Sequence, residues 1–226
     1  MGKAGALEQH MRAAVTTYGH DRIELEWRLG HRQGHFRPGV GADAWRRLQH
    51  ALETSPHFQK SFKETVERLG EAPGVKCILD TATRKEAWMH KKRLADVDAE
   101  SESTWSIRAS VSLEEWDEPR QPGQQPGQQP GQQPGQQPGQ QPGQVQFKYE
   151  RRKQRWSYRH KCWSIDLTRV HSNLPTDLDE DQETHEVEIE LVDQGVLFER
   201  PVAYVVQWGW DLARDMCALM SGSPCK

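Results

Sequence analysis

Two short stretches carry a glutamate at every second position, and carboxylates are groups that bind metal ions. "RIELEWRLG" contains Glu24 and Glu26, and "HEVEIEL", near the other end of the chain, contains Glu186, Glu188 and Glu190. Successive side chains of a β-strand point to opposite faces, so each stretch predicts one acidic and one apolar face. If the two strands pair, their carboxylates repel one another, and a divalent cation with oxygen ligands relieves the repulsion. The alternative is a solvated sheet face, the common explanation of a single Glu-x-Glu pair.

A basic segment in the middle of the chain supplies the opposite charge. In "YERRKQRWSYR", Arg151, Lys153 and Arg155 fall on one face of a predicted strand. Arginine binds phosphate in a bidentate manner, so this face predicts an anion site. The alternatives are a nuclear-import signal or a generic basic patch. The neighbouring aromatic residues Trp156 and Tyr158 favour the strand, because import signals are usually unstructured.

Weaker signals on three further segments add charge to one side of a strand. Lys91 and Arg93 share a face of one segment, Arg108 and Glu114 share a face of the next, and Asp166 lies between two apolar residues. Charges of both signs thus alternate with apolar residues on strand after strand. The pattern predicts a closed barrel with a polar interior and an apolar exterior. Such an interior would bind a metal ion together with a polyphosphate, because Mg²⁺ bridges carboxylate and phosphate oxygens.

Eight strands and three helices are predicted to position these side chains. The strand-like segments are 22–30, 61–70, 74–81, 87–98, 105–116, 147–160, 162–171 and 185–193. Helical periodicity predicts helices within 1–20, at 42–53 and at 203–220, which would cover the outer apolar face. The predicted fold class is therefore α+β and mainly β, an eight-stranded β-barrel with helices packed outside.

A low-complexity segment separates the fifth and sixth predicted strands. "QPGQ" is repeated six times over 121–144. Pro, Gly and Gln bury little apolar area, so the segment predicts a disordered loop. We interpret it as a long hairpin insertion within a single domain spanning 1–226, because the cost of loop closure grows slowly with length. A domain boundary is the alternative.

The composition of the chain and the motifs that it lacks exclude several classes of protein. The net charge is −3, so bulk electrostatics does not attract nucleic acid and any attraction must be local. The four cysteines form no Cys-x-x-Cys pair, which favours a reduced, intracellular protein. No apolar run or signal peptide points to a membrane. No P-loop, HExxH motif or cysteine-phosphatase loop is present, which leaves metal–carboxylate chemistry.

Three stretches carry a resemblance to a known family. "IELEWRLG", "RRKQRWSYR" and "HEVEIEL" resemble, in order and spacing, the signature motifs of the fungal- and protozoal-type mRNA 5′-triphosphatases. These RNA capping enzymes belong to the triphosphate tunnel metalloenzyme superfamily, and the resemblance covers about residues 20–215. It implies an antiparallel eight-stranded tunnel. It also implies metal-dependent hydrolysis of the γ-phosphate of triphosphate-ended RNA, the first step of mRNA capping, with NTP hydrolysis when Mn²⁺ is present.

The resemblance also implies roles for individual residues. Glu24, Glu26 and Glu190 match the ligands of Mg²⁺ or Mn²⁺, and Glu114 matches the acid that orients the attacking water. The phosphate-holding and remaining essential residues would be Arg151, Lys153, Arg155, Lys91, Asp166, Glu186 and Glu188. The chain departs from the family pattern where the segment 74–81 lacks an expected arginine, for which Lys76 is the nearest substitute.

The resemblance further implies partners and a location. The expected substrates are triphosphate-ended RNA and NTPs, and a separate mRNA guanylyltransferase would act next, in the nucleus. An inorganic tripolyphosphatase or thiamine triphosphatase of the same superfamily is one alternative. A non-catalytic β-barrel that binds polyanions or RNA is another, and an interaction protein that works through the Gln-Pro-Gly repeat is a third. Oligomeric state and metal preference stay open.

Overall fold

Nine strands and four helices make up the described part of the chain. The computed structural model describes residues 2–70, 74–101, 104–117, 147–172 and 182–222. The strands are β1 (Ile23–Gln33), β2 (His35–Pro38), β3 (Gln59–Gly70), β4 (Val75–Asp80), β5 (Glu86–Glu100), β6 (Ser106–Asp117), β7 (Phe147–His160), β8 (Trp163–Ser172) and β9 (Gln182–Leu191). The helices are α1 (Lys3–Tyr18), α2 (Ala42–Thr54), α3 (Val196–Glu199) and α4 (Val202–Ser221). None of these helices is long and apolar enough to cross a membrane.

Eight of the strands close into an antiparallel barrel. The order around the ring is β1, β6, β5, β4, β3, β7, β8 and β9, and β9 pairs back onto β1 with Glu190 opposite Glu26. The predicted barrel and the predicted pairing of the two glutamate strands are therefore confirmed. β2 is a ninth strand that was not predicted. It turns back at Gly34, where φ is +75°, and pairs with the outer end of β1.

Apolar side chains of the barrel strands face outward and pack under the helices. In β1, Ile23, Leu25, Trp27 and Leu29 alternate with polar residues and are at most 2% exposed. β9 adds the buried residues Val187, Ile189 and Leu191 to the same layer, and the helices add Leu7, Met11, Trp45, Leu48, Val206 and Trp210. Full burial of such a side chain stabilises the fold by roughly 1.5–3 kcal/mol. The hydrophobic core thus lies outside the barrel wall and leaves the interior to polar groups.

Close packing of α4 on β1 leads to a prediction about stability. The Trp27 ring stacks edge-on against Trp163 and Trp210, and a Cβ added at Gly209 would lie 2.3 Å from its Cη2 atom. Gly209→Ala should therefore lower the free energy of unfolding by about 1–3 kcal/mol, although alanine favours a helix by about 1 kcal/mol. Urea unfolding measures the change. Gly70→Ala is the control, because its added Cβ meets nothing within 4 Å; equal effects of the two variants would contradict the packing argument.

The Gln-Pro-Gly repeat at 121–144 lies outside the described residues, and the strands that flank it correct one expectation. β6 pairs with β1 and β5, whereas β7 pairs with β3 and β8. The two strands are therefore not partners in a hairpin. The end of β6 still lies near the start of β7, because Trp88 of β5 is paired with Asp117 and its ring stacks on Phe147 at 6.0 Å. The single-domain organisation and the disordered loop stay predictions.

Candidate active site

The barrel encloses a polar cavity of about 230 Å³. Alternation along the strands directs charged side chains into it, while their neighbours join the outer core. Six carboxylates line it: Glu24, Glu26, Glu67, Glu114, Glu188 and Glu190. Five cations line it too: Lys63, Lys76, Lys91, Lys153 and Arg155. Thr65, Ile78, Met89 and Trp116 complete the wall.

A cluster of carboxylates lies where β1 meets β6 and β9. Glu26 is 5% exposed and sits directly opposite Glu190 in the strand pairing. Burial, the charge of Glu24 and the charge of Asp166 raise the pKa of Glu190 to about 8. Burial also raises the pKa values of Glu24 and Glu26. The fold therefore holds acidic groups close together in a place where their charges destabilise one another.

Lys91 of β5 enters this cluster from the strand next to β6, where it stands directly opposite Glu114. Its ammonium forms ion pairs with Glu24, with Glu26 at 3.7 Å and with Glu114 at 3.4 Å. Burial lowers the pKa of Lys91, but the carboxylates around it outweigh burial and hold the pKa above its ordinary value. Lys91 is thus a fixed positive charge beside the acidic cluster, as the alternation in β5 predicts.

Arg155 of β7 is held by two acids of neighbouring strands. Its guanidinium donates hydrogen bonds to Asp166 at 2.9 Å and to Glu188 at 3.2 Å. Burial disfavours the charge on Glu188, yet Arg155 holds the pKa of this carboxyl below its ordinary value. Asp166 also accepts a hydrogen bond of 2.6 Å from Ser164. The guanidinium is therefore fixed in orientation with its charge facing the cavity.

Glu67 of β3 joins two lysines and was not singled out from the sequence. Its carboxylate lies 3.2 Å from Lys76 and 3.2 Å from Lys153. Burial raises the pKa of Glu67, but the two ammonium groups outweigh burial and lower it to about 2. Lys76, the expected substitute for the missing arginine, therefore does face the cavity. The alternation of Thr65 and Glu67 with Val66 was the signal available for finding this residue.

A second polar network bounds the cavity on the side away from Trp116. The pairing of β5 with β6 shifts by one residue between Arg93 and Ala95, which turns Asp96 and Asp98 toward β6. Arg93 then donates hydrogen bonds to Asp96 and to buried Ser110, both at 2.7 Å. Further along, Arg108 donates hydrogen bonds to both oxygens of Asp98. These paired charges lie beyond Glu26 along the barrel and are partly exposed.

All but one of the predicted site residues line the cavity or contact a residue that lines it. Glu24, Glu26, Lys91, Glu114, Lys153, Arg155, Glu188 and Glu190 line the cavity. Asp166 accepts a hydrogen bond from Arg155, which lines the cavity. Glu186 lies 4.0 Å from Lys153, which also lines it. Arg151 shares the strand face but not the cavity wall, and its guanidinium lies over the Tyr149 ring. The roles assigned to these residues by resemblance stay predictions.

The donor set of the acidic cluster fits a hard divalent cation. Glu24, Glu26 and Glu190 offer oxygen ligands from paired strands, and burial together with the neighbouring carboxylates raises their pKa values, a cost that a bound cation would offset. In the part of the chain that is described, no three Asp, Glu, His or Cys side chains converge on one point as they stand. Binding would therefore require these side chains to rotate toward one another, away from Lys91.

The raised pKa of Glu190 predicts how pH affects the metal-free protein. Between its ordinary pKa of 4.5 and about 8, the folded state holds a proton that the unfolded state releases. The free energy of unfolding should therefore fall as pH rises through this window, by on the order of a few kcal/mol. Urea unfolding in chelator at pH 5 to 8 measures the slope. Glu190→Gln, which cannot ionise, should flatten it, and equal slopes for the two proteins would contradict the assignment.

Comparison with known proteins agrees with this arrangement. The family described as "mRNA capping enzyme, beta chain" matches residues 73–201, more than half of the chain. A 5′ RNA triphosphatase of Paramecium bursaria Chlorella virus 1 is 26% identical over 221 residues, which cover 96% of this chain and 99% of the relative. The solved structure of the S. pombe RNA triphosphatase Pct1 has a TM-score of 0.73 at 19% identity, with 96% of this chain and 92% of that chain covered.

A second structure of Pct1, in complex with the Spt5 CTD, gives a TM-score of 0.71 at 18% identity, covering 96% of this chain and 93% of that chain. These structural likenesses confirm the barrel as the fold of that triphosphatase. The match to more than half of the chain establishes the family. The chain with the paired glutamate strands therefore belongs to the mRNA capping enzyme beta-chain family.

Proposed function

We propose that this protein removes the γ-phosphate from the 5′-triphosphate end of RNA, leaving a diphosphate end and inorganic phosphate. This is the first step of mRNA capping, and the protein acts in it as an RNA 5′-triphosphatase. Family membership and the similarity to a viral 5′ RNA triphosphatase support the reaction. The observation that carries it is the cavity itself, where a cluster of carboxylates faces a set of lysines and an arginine inside one barrel. That pairing suits a metal-bound polyphosphate chain.

Proteins of this family generally use divalent metal ions. We propose that Glu24, Glu26 and Glu190 hold Mg²⁺ or Mn²⁺ in this chain, because their oxygen atoms form the buried acidic cluster. A bound divalent cation supplies positive charge that neutralises phosphate oxygens. With Mn²⁺ we also expect hydrolysis of NTPs, which present the same triphosphate group.

The cations of the cavity would bind phosphate oxygens of the substrate. Arg155 can offer two N–H groups, and Asp166 and Glu188 keep its guanidinium in place. Lys153 and Lys76 flank Glu67, which orients both ammonium groups. Positive groups fixed before the reaction stabilise charge as it develops on the leaving β-phosphate. Arg151, which lies beyond the cavity wall, would contact a more distal part of the substrate.

Glu114 is the acid placed to orient the attacking water. It lies 3.4 Å from Lys91, within the acidic cluster but on β6 rather than on the two strands that would hold the metal. A carboxylate in this position accepts a hydrogen bond from water and directs its oxygen toward the γ-phosphorus. Direct attack by water requires no covalent intermediate, so no cysteine or lysine nucleophile takes part.

A phosphate-release assay tests the proposal. Triphosphate-ended RNA is incubated with the protein and Mg²⁺, Mn²⁺ or chelator, with diphosphate-ended RNA as the matched control substrate. We expect inorganic phosphate and diphosphate-ended RNA only when the first substrate and a metal are both present. Release of pyrophosphate, or no release with either metal, would overturn the proposed function.

The same cavity would also accept inorganic tripolyphosphate, which makes a tripolyphosphatase the second candidate. Nothing in the set of cavity cations distinguishes a free polyphosphate from one attached to RNA. The ratio of kcat/KM for triphosphate-ended RNA to that for tripolyphosphate separates the two, and the proposal requires a ratio above one. A non-catalytic binding barrel predicts no phosphate release from either substrate.

The capping role carries two further proposals. The product, diphosphate-ended RNA, is the substrate of a guanylyltransferase, so we propose such an enzyme as a partner and the nucleus as the location. Pct1 has been solved in complex with the Spt5 CTD, which supports a protein partner for a barrel of this fold.

Deletion of 121–144 tests whether the repeat matters: unchanged phosphate release would make it dispensable for catalysis.

A further inference from the structure

Different residues bound the cavity at its two ends along β6. On one side, Arg93, Asp96 and Arg108 form a network of paired charges, with side chains that are 24% to 34% exposed. On the other side, β6 continues past Glu114 to Trp116, whose side chain lines the cavity and is 56% exposed. Ser110 and Ser112, which precede Glu114 on the same face, are fully buried. β6 therefore runs from buried serines beside the ion-paired network, through the acidic cluster, to an open mouth at Trp116.

Trp116 is the large aromatic residue at this mouth. It stands opposite buried Met89 of β5, and the mouth also contains Lys63, which is paired with Asp80 at 3.3 Å. Exposure of a tryptophan on a polar cavity wall leaves an aromatic face open to water. Phe62 is similarly exposed, at 54%, but it lies on the outer surface and packs against Trp156 at 5.0 Å. The position of Trp116, not its exposure alone, distinguishes it.

The spacing along β6 relates Trp116 to the substrate. Two residues of a strand span roughly 6.5 Å, so Trp116 lies about this far from Glu114 toward the open end. A triphosphate with its γ-phosphate at the acidic cluster and its other end directed to the mouth leaves the ion pairs of Arg93 and Arg108 on the opposite side intact. The α-phosphate, ribose and first base then emerge beside the indole.

We propose that Trp116 stacks on the 5′-terminal nucleobase of the RNA. This inference rests on the proposed function and adds a nucleoside subsite to the phosphate site. Every base presents a π-face, so the contact is tolerant of sequence and discriminates a nucleoside triphosphate from a bare polyphosphate. Stacking of one base on an aromatic side chain changes affinity by roughly 5- to 150-fold.

The test compares Trp116→Ala and Trp116→Phe with wild type on three substrates: triphosphate-ended RNA, ATP and inorganic tripolyphosphate. We expect Trp116→Ala to raise KM for RNA and ATP roughly 5- to 150-fold while leaving KM for tripolyphosphate unchanged. Trp116→Phe should keep most of the affinity for RNA. Phe62→Ala, the matched control on the outer surface, should change none of the three.

The outcomes separate this inference from the function on which it rests. A wild-type protein that releases no phosphate from RNA overturns the proposed function. A wild-type protein that is active on RNA, with Trp116→Ala unchanged in KM, overturns the stacking inference alone. An equal rise in KM for all three substrates also overturns it, because the tryptophan would then support the cavity wall rather than a base.

Discussion

Replacing Glu190 with alanine should abolish release of phosphate from triphosphate-ended RNA. Glu190 lies opposite Glu26, where β9 closes onto β1, and it completes the acidic cluster proposed to hold the metal. Loss of a residue that merely supports a metal ligand costs about 10- to 100-fold, so loss of a ligand should cost at least 100-fold. Glu24→Ala should have the same effect. Phosphate release with saturating Mg²⁺ or Mn²⁺ measures both, and full activity of Glu190→Ala would contradict the assignment.

Stability distinguishes lost chemistry from lost folding in these variants. The pKa of Glu190 is raised because burial and Glu24 disfavour its charge, so this carboxylate destabilises the metal-free fold at pH 8. Glu190→Gln should therefore be as stable as the wild type at that pH, or more stable, while still inactive. Glu8→Ala on α1 is the control, because Glu8 pairs only with Arg12 on the helix surface among its described contacts and should leave activity unchanged.

The closed barrel could be predicted because one physical signal repeats in β1, β6, β8 and β9. Burial of one face against helices requires apolar residues at every second position, and the interior then accepts charge at the others. β1 shows this most plainly, since Glu24 and Glu26 alternate with Leu25 and Trp27. β2 was missed because "HFRP" offers Phe36 as its one buried apolar side chain, and it is paired to a strand end rather than built into the wall.

The contacts inside the cavity were harder to predict than the faces of the strands. Alternation tells which way a side chain points but not how far along the barrel it lies, and this depth depends on the register between strands. Arg151 shows that even register is not enough, since it stands directly opposite the cavity residue Glu67 while its guanidinium lies over the Tyr149 ring. Glu67 was missed because β3 carries charges on both faces, with Glu64 and Arg68 as its neighbours in the sequence.

The register shift inside β5 also could not be predicted from the alternation of polar and apolar residues. Strict alternation from Lys91 and Arg93 would continue to Ala95 and Val97, but the irregularity at Leu94 places Asp96 and Asp98 on the polar side instead. A bulge of this kind inserts one residue and reverses the faces that follow. It supplies the acids that pair with Arg93 and Arg108, and so it determines where the ion-paired network lies.

Arg155→Lys should lower kcat for phosphate release roughly 100- to 1000-fold, although the positive charge is kept. The guanidinium reaches Asp166 and Glu188 at once while its charge faces the cavity, and one ammonium cannot reproduce this planar arrangement. Because the lysine still attracts the triphosphate, KM should change less than kcat. Steady-state kinetics on triphosphate-ended RNA measure both, and an unchanged kcat would contradict a role for Arg155 in stabilising charge during the reaction.

Arg155→Ala should add a loss of stability that the lysine variant largely avoids. Removing the guanidinium leaves the carboxylates of Asp166 and Glu188 buried without their shared partner. Breaking a buried ion pair costs about 3–5 kcal/mol, and the low end applies because the Arg155 side chain is 31% exposed. Arg152→Ala is the control on the same strand, since Arg152 faces outward and is exposed. Equal stability of the Arg155→Ala and Arg152→Ala variants would show that the two acids do not depend on Arg155, and that the guanidinium is held in place by something else.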